Sequence, residues 1–170
     1  MATPSSIQLS VRDLEAGDID DCLDLARLFH GESAYASYPL AIGKVVALIE
    51  GALDNPDMYA IVLAGDSVVG YLLGMIHEHY FSHVLTCSDL GFYILPAYRQ
   101  PLAARAMLRK LEAWAFIDKG AMDITLGVSS GIADAEIIQF YHRMGYARGV
   151  AGLIKSRPQD YGDRQSTRPA

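Results

Sequence analysis

Two cysteines in 170 residues are too few and too far apart to build a framework. Cys22 and Cys87 form no CxxC pair, so neither a disulfide scaffold nor a thiolate metal site is expected, and both read as free, buried thiols. No Gly-Lys-Ser or Gly-Lys-Thr follows an apolar run, which excludes a kinase-like phosphate loop. No apolar stretch approaches the roughly 20 residues that span a bilayer, and no basic start leads into a long apolar run. A cytoplasmic protein with no membrane partner is therefore expected. Positive charge is also scarce: 14 Lys and Arg against 20 Asp and Glu leave a formal net charge of −6. That balance argues against a broad phosphate-binding surface, hence against nucleic acid, and tilts long-range attraction toward a cationic substrate. The run HEHYFSH brings His77, His79 and His83 close in sequence, and on a strand His77 and His79 would share a face. It lacks the helical HExxH arrangement and falls at an expected turn, so no metal is expected there.

What is present suits one fold unit of residues 1–155 with a polar C-terminal tail, 156–170, whose sequence SRPQDYGDRQSTRPA has no period and is expected to be flexible. IQLSVRD alternates like a half-buried strand. Asp18 reads as an N-cap for a helix over Ile19–His30, and Pro39 opens a second helix over about Leu40–Leu53 that DNPD ends. MYAIVLA and SVVGYLLGMIHEH, joined by Gly65 and Asp66, read as a tight hairpin. A strand follows at Val84–Leu95. Pro101–Asp118 has the strongest helical period, with Leu102, Met107, Leu108, Leu111, Trp114 and Ala115 on one face and Gly120 as its stop. Trp114 reads as core. MDITLGV is a buried strand, ADAEIIQFYHRM a helix closed by Gly145, and YARGVAGLIK a last strand. The order predicts a mixed α/β (α+β) fold: a central mixed, largely antiparallel twisted sheet flanked by helices on both faces.

The stretch YILPAYRQPLAARAML, Tyr93 to Leu108, runs from an apolar strand end through Pro and Arg into a helix start. Together with the later FYHRMGY and the order of elements, it resembles the GNAT superfamily of acyl-CoA-dependent N-acyltransferases over nearly the whole chain to about Lys155. Within it, PAYRQPLAARAMLRKLEAWAFIDKGAMDITLGVSSGI looks most like small members encoded by bacteriophages and prophages. The family motif is Gln or Arg, two residues, Gly, one residue, then Gly or Ala. Here Arg99 and Ala104 fit, Leu102 replaces the Gly, and Pro101 has no N–H. A helix start holds an anion through its orphan amides and dipole, not through glycine as such. Gln100, Leu102, Ala103 and Ala104 are thus expected to meet the pyrophosphate of acetyl-CoA, helped by Arg99 or Arg105. The same segment also reads as an ordinary amphipathic helix with a Pro start.

By resemblance, the backbone amide of Ile94 holds the acyl carbonyl, and Tyr141 protonates the departing CoA thiolate; as residues alone, the two read equally well as core and core-edge side chains. No Glu occupies the fifth strand, where LGV stands and Gly127 cannot act as a base. Asp89 is the remaining candidate, with Glu32, Glu78 or a water chain behind it. Simple alternation puts Asp89, Gly91 and Tyr93 on one face, opposite Leu90, Phe92 and Ile94. The resemblance implies direct transfer of an acetyl group to a primary amine of a small molecule or protein. A non-catalytic CoA- or protein-binding module that keeps the fold is the alternative, and a homodimer stays open.

Overall fold

The computed structural model describes residues 9–129 and 134–147. Five strands and four α-helices follow in the order β1 (Ser10–Asp13), α1 (Ile19–Glu32), α2 (Ile42–Asp54), β2 (Met58–Ala64), β3 (Val68–Glu78), β4 (Leu85–Ile94), α3 (Pro101–Ala113), β5 (Ile124–Thr125) and α4 (Asp134–Arg143). The strands lie side by side in sequence order; the first three pairings are antiparallel, and β4–β5 is parallel. This is the mixed, largely antiparallel sheet expected. Of the expected last strand, residues 146–155, Tyr146 and Ala147 are not in a strand, and the rest, like the tail from residue 156, lies outside the described residues.

β2 shows why the sheet is covered on both faces. MYAIVLA does not alternate in polarity, and six of its seven residues are buried, as a strand with protein on both sides requires. Ile61 and Leu63 point to the face where α3 brings Met107, Leu108 and Leu111. Ala60 and Val62 point the other way, toward Cys22 and Leu25 of α1 and Ile49 of α2. Both cysteines are free and buried. Gly74 of β3 lets α3 sit close, since a Cβ there would lie 2.5 Å from Leu111 Cδ1. Among the described residues no helix is long and apolar enough to cross a membrane.

Local details differ from the sequence expectations for physical reasons. Asp18 does not cap α1. Its carboxylate instead accepts two hydrogen bonds from Arg12, at 2.6 and 2.8 Å, and one from the Glu15 amide at 2.9 Å. A charged bidentate partner outcompetes a single backbone donor. The long helix stays α-helical only to Ala113, then makes one π-helical turn over Trp114–Asp118, with the Lys119 amide donating to the Trp114 carbonyl. Gly120 and Gly145, at φ +67° and +97°, stop the two helices expected to end there. Trp114 is half-buried at the edge of the α3-side core, 5.1 Å from the Tyr59 ring centre.

The alternation expected along β4 is also corrected. Leu73 pairs with Gly91 but Gly74 pairs with Asp89, so Leu90 is an extra, unpaired residue, a β-bulge. Beyond the bulge Tyr93 belongs to the α1-side core and Ile94 to the α3-side core. Before it, Asp89 shares the face of Cys87, which also packs on the α3 side. The bulge thus turns Asp89 to the face of Phe92 and Ile94 instead of the opposite one.

Candidate active site

The parallel edge of the sheet opens almost as soon as it forms. β4 and β5 pair only at Cys87↔Ile124 and Ser88↔Thr125. Two residues later the Gly127 amide donates to Asp89 Oδ1, at 2.7 Å, so a side chain takes the position of a ladder partner and wedges the strands apart. Past the wedge, the register sets which way the backbone groups of β4 point. The Leu95 amide donates to the Val69 carbonyl, so the alternate pair Gly70↔Ile94 is a non-hydrogen-bonded one. The Ile94 amide therefore faces away from β3, toward the side on which β5 has already ended.

Two cavities line this opening. One, of about 330 Å³, lies between α4 and the start of α3; Ile94, Arg99, Gln100, Pro101 and Ala104 line it, with Tyr141 on the α4 side. The other, of about 50 Å³, is bounded by Asp89, Gly127, Phe29, Phe92 and again Tyr141. Tyr141 is thus a wall of both. Burial and the neighbouring Asp89 charge push the Tyr141 phenol well above its ordinary range, so it stays protonated. Burial raises the Asp89 carboxyl to about 6, against the opposing pull of the Gly127 hydrogen bond. An acid and a near-neutral base thus share one small space.

The start of α3 is open. Its first residue is Pro101, and the preceding Gln100 gives no side-chain cap. Of the four amides expected to face an anion, two already have acceptors: Gln100 donates to the Tyr98 carbonyl at 2.8 Å, and Ala104 to the Gln100 carbonyl at 3.1 Å. Leu102 and Ala103 stand at the second and third helical positions, where no intrahelical acceptor exists. The Leu102 side chain is 77% exposed and does not fill the 330 Å³ cavity. The first turn holds no acidic residue, so its positive dipole end is uncompensated. Arg105 is on the exposed side of this turn.

Arg99 lines the larger cavity, yet its guanidinium is tied down. Nε donates to the Ile94 carbonyl and Nη2 to Glu32 Oε2, both at 2.8 Å, and the group lies over the Tyr93 ring at 5.3 Å. The Tyr93 hydroxyl donates to the other Glu32 oxygen at 2.7 Å. These two donors hold the Glu32 carboxyl below its ordinary value, which makes it a poor base and leaves Asp89 the stronger candidate. Glu32 is the residue sequence reasoning undervalued: it joins the last turn of α1 to the loop before α3. A single Glu in a helix carries no mark of such a partner 67 residues away, and only the later Arg could have suggested one.

The histidine run ends β3 and forms the turn after it. His77 Nε2 is 2.9 Å from Ser88 Oγ, and the His79 ring stacks on Tyr80. Glu78 faces His83 at this exposed turn, 3.4 Å away, far in the fold from the cavities it was considered for. Among the described residues no three His, Cys, Asp or Glu side chains converge as metal ligands.

Comparison with known proteins gives a consistent result. The model of the family described as Acetyltransferase (GNAT) matches residues 21–146. An aminoglycoside acetyltransferase from an uncultured soil metagenomic sample, solved with trehalose, superposes with a TM-score of 0.66 at 16% identity, covering 88% of this chain and 97% of that one. AAC(6')-Iy in complex with a CoA-containing bisubstrate analogue gives 0.66 at 16% identity, covering 89% and 99%. A putative acetyltransferase from Agrobacterium tumefaciens gives 0.67 at 19% identity, covering 87% and 99%. A search of curated protein sequences finds no match.

Proposed function

The chain belongs to the GNAT family of acetyltransferases, whose acyl donor is acetyl-CoA, and from that premise we propose that it moves the acetyl group directly onto a primary amine. The observation that carries the reading is Tyr141 as the common wall of two cavities, one at the open start of α3 and one holding Asp89. The pyrophosphate of acetyl-CoA meets the free amides of Leu102 and Ala103, in the field of the helix dipole. Gln100, Ala104 and Pro101 shape the wall beside it, Arg105 adds charge from the exposed side, and Arg99 fixes the loop.

In the reaction the amine nitrogen attacks the thioester carbon, and the C–S bond breaks as the amide forms. The Ile94 amide donates to the carbonyl oxygen as it gains negative charge. Asp89 takes the proton from the amine; its value near 6 leaves it mostly ionised at neutral pH and still basic enough to accept. Tyr141 gives its proton to the departing thiolate. No covalent enzyme intermediate is needed, since both cysteines are buried in the two cores, and burial raises both thiols, Cys22 to about 12 and Cys87 to about 11. On the sequence grounds given above, the reaction belongs in the cytoplasm, and the likeness of the α3 segment to phage-encoded members leaves the acceptor open.

The test is thiol release from acetyl-CoA across a panel of primary amines, for wild type and Tyr141→Phe. The expected result is turnover with at least one amine and a kcat roughly 10²–10³-fold lower in the variant, with acetyl-CoA affinity retained. Equal turnover in the variant would overturn the role of Tyr141. Tight acetyl-CoA binding with no thiol release for any amine would favour a non-catalytic module.

A further inference from the structure

A third cavity, of about 180 Å³, adjoins the reaction site from the side of the N-terminal helices. Its walls are mostly apolar, among them Ala26 and Phe29 of α1, Val45 and Leu48 of α2 and Leu73 of β3, with polar atoms from His30, Ser33, Tyr35 and Tyr71 at its border. Two features join it to the small cavity that holds Asp89. Phe29 lines both, and Leu90, the bulged residue next to Asp89, lines the larger of the two. The Ala34 amide donates to the Ser129 carbonyl at 2.7 Å, which fastens the loop after α1 to the segment after β5, and Ser129 itself borders the Asp89 cavity.

Resting on the acetyltransferase reading, we infer that the acceptor is a monoamine whose body is one small apolar group, an aryl ring or a branched alkyl of similar size, seated in this cavity with its nitrogen beyond Phe29 at Asp89. The size fits: an engineered apolar cavity of about 150 Å³ takes up benzene. The chemistry fits as well. Among the described residues none that lines the 180 Å³ cavity is Asp, Glu, Lys or Arg, so the second and third ammonium groups of a polyamine or an aminoglycoside would be desolvated there without a counter-charge from them. In the adjoining cavity Asp89 is the one carboxylate among the described residues, enough for a single amine.

The test measures thiol release at saturating acetyl-CoA with phenethylamine, isoamylamine, spermidine and kanamycin. A kcat/KM for phenethylamine at least tenfold above those for spermidine and kanamycin is expected, as burial of a ring warrants. Two variants narrow the cavity: Ala26→Leu from α1, and Leu48→Trp at a partly exposed position of α2 that tolerates bulk. Each is expected to raise KM for phenethylamine fivefold or more while acetyl-CoA affinity, read by calorimetry, stays within twofold. Preference for spermidine or kanamycin, or an unchanged KM in both variants, would overturn the inference and leave the acetyltransferase reading intact. If no amine releases thiol, phenethylamine is titrated into the CoA-saturated protein instead. Binding weakened by Ala26→Leu would support the cavity without catalysis, and no binding would overturn it.

Discussion

The two edges of β4 behave in opposite ways. Toward β3 it pairs along nearly its whole length, from Leu85 opposite Glu78 to Ile94 opposite Gly70, with a single bulge. Toward β5 it pairs at two positions and stops. The first edge is built from residues whose burial holds the sheet together. The second gives up backbone pairing, and the Ile94 amide, the Asp89 carboxylate and two cavities occupy the space gained. On the proposed reading, stability and chemistry are divided across one strand: one edge is closed by its ladder, and the other is held open by a side chain.

That division can be broken from either side. Leu72 of β3 is fully buried in the α3-side core, and Leu72→Ala should cost roughly 2–5 kcal/mol of stability, read as a lowered denaturant midpoint. The folded fraction should keep its kcat, because nothing at the open edge has moved.

Asp89→Asn should do the reverse, with kcat/KM falling roughly 30-fold and an acid limb near pH 6 disappearing from the pH profile. Its effect on stability has a definite sign. The folded-state value of about 6 lies above the ordinary 3.8, so the folded protein holds the proton more readily than the unfolded chain. Stability therefore falls as pH rises from about 4 to 6, and the deficit is complete above 6. The Asn variant lacks this deficit and should be the more stable protein at pH 8, by roughly 1–3 kcal/mol. Near pH 3.5 the two should melt alike.

Glu32→Gln should cost less, about 1 kcal/mol, because the ion pair with Arg99 is partly exposed. Glu32 is held below its ordinary 4.5, so its contribution is present above that pH and fades as pH falls through the folded value. The gap between wild type and variant should close in acid. Gly127→Ala is the smallest change expected. A Cβ there would lie 3.6 Å from Asp89 Oδ1, an ordinary contact, so activity should stay within about twofold, with stability within about 0.5 kcal/mol. A large loss would mean that the wedge depends on more than the Gly127 amide.

Much of the fold was legible because its signals are local. The unbroken apolar run of MYAIVLA, the period of the α3 segment and the glycines after α3 and α4 each set an element by themselves. The site was legible only in part. Asp89 and Tyr141 could be named as candidates, yet no rule at the level of sequence places a bulge at Leu90, since TCSDLGFYI alternates well enough to suggest a regular strand. The pairing across β3 forces the extra residue, and with it the face on which Asp89 stands. Likewise PAYRQPLAA reveals a helix start with a Pro and a missing Gly, but the amides that remain free follow from turns made by Tyr98 and Gln100.

The central claim is that a helix start without glycine still binds acetyl-CoA. Calorimetric titration of wild type and Ala104→Asp with acetyl-CoA and desulfo-CoA tests it most directly. Ala104 lines the larger cavity at the first turn of α3, and a carboxylate near a helix start favours the helix itself, so lost binding in the variant would not reflect a lost helix. The account predicts saturable binding of both ligands by wild type and at least tenfold weaker binding by the variant. No binding by wild type, or equal binding by both proteins, would contradict it.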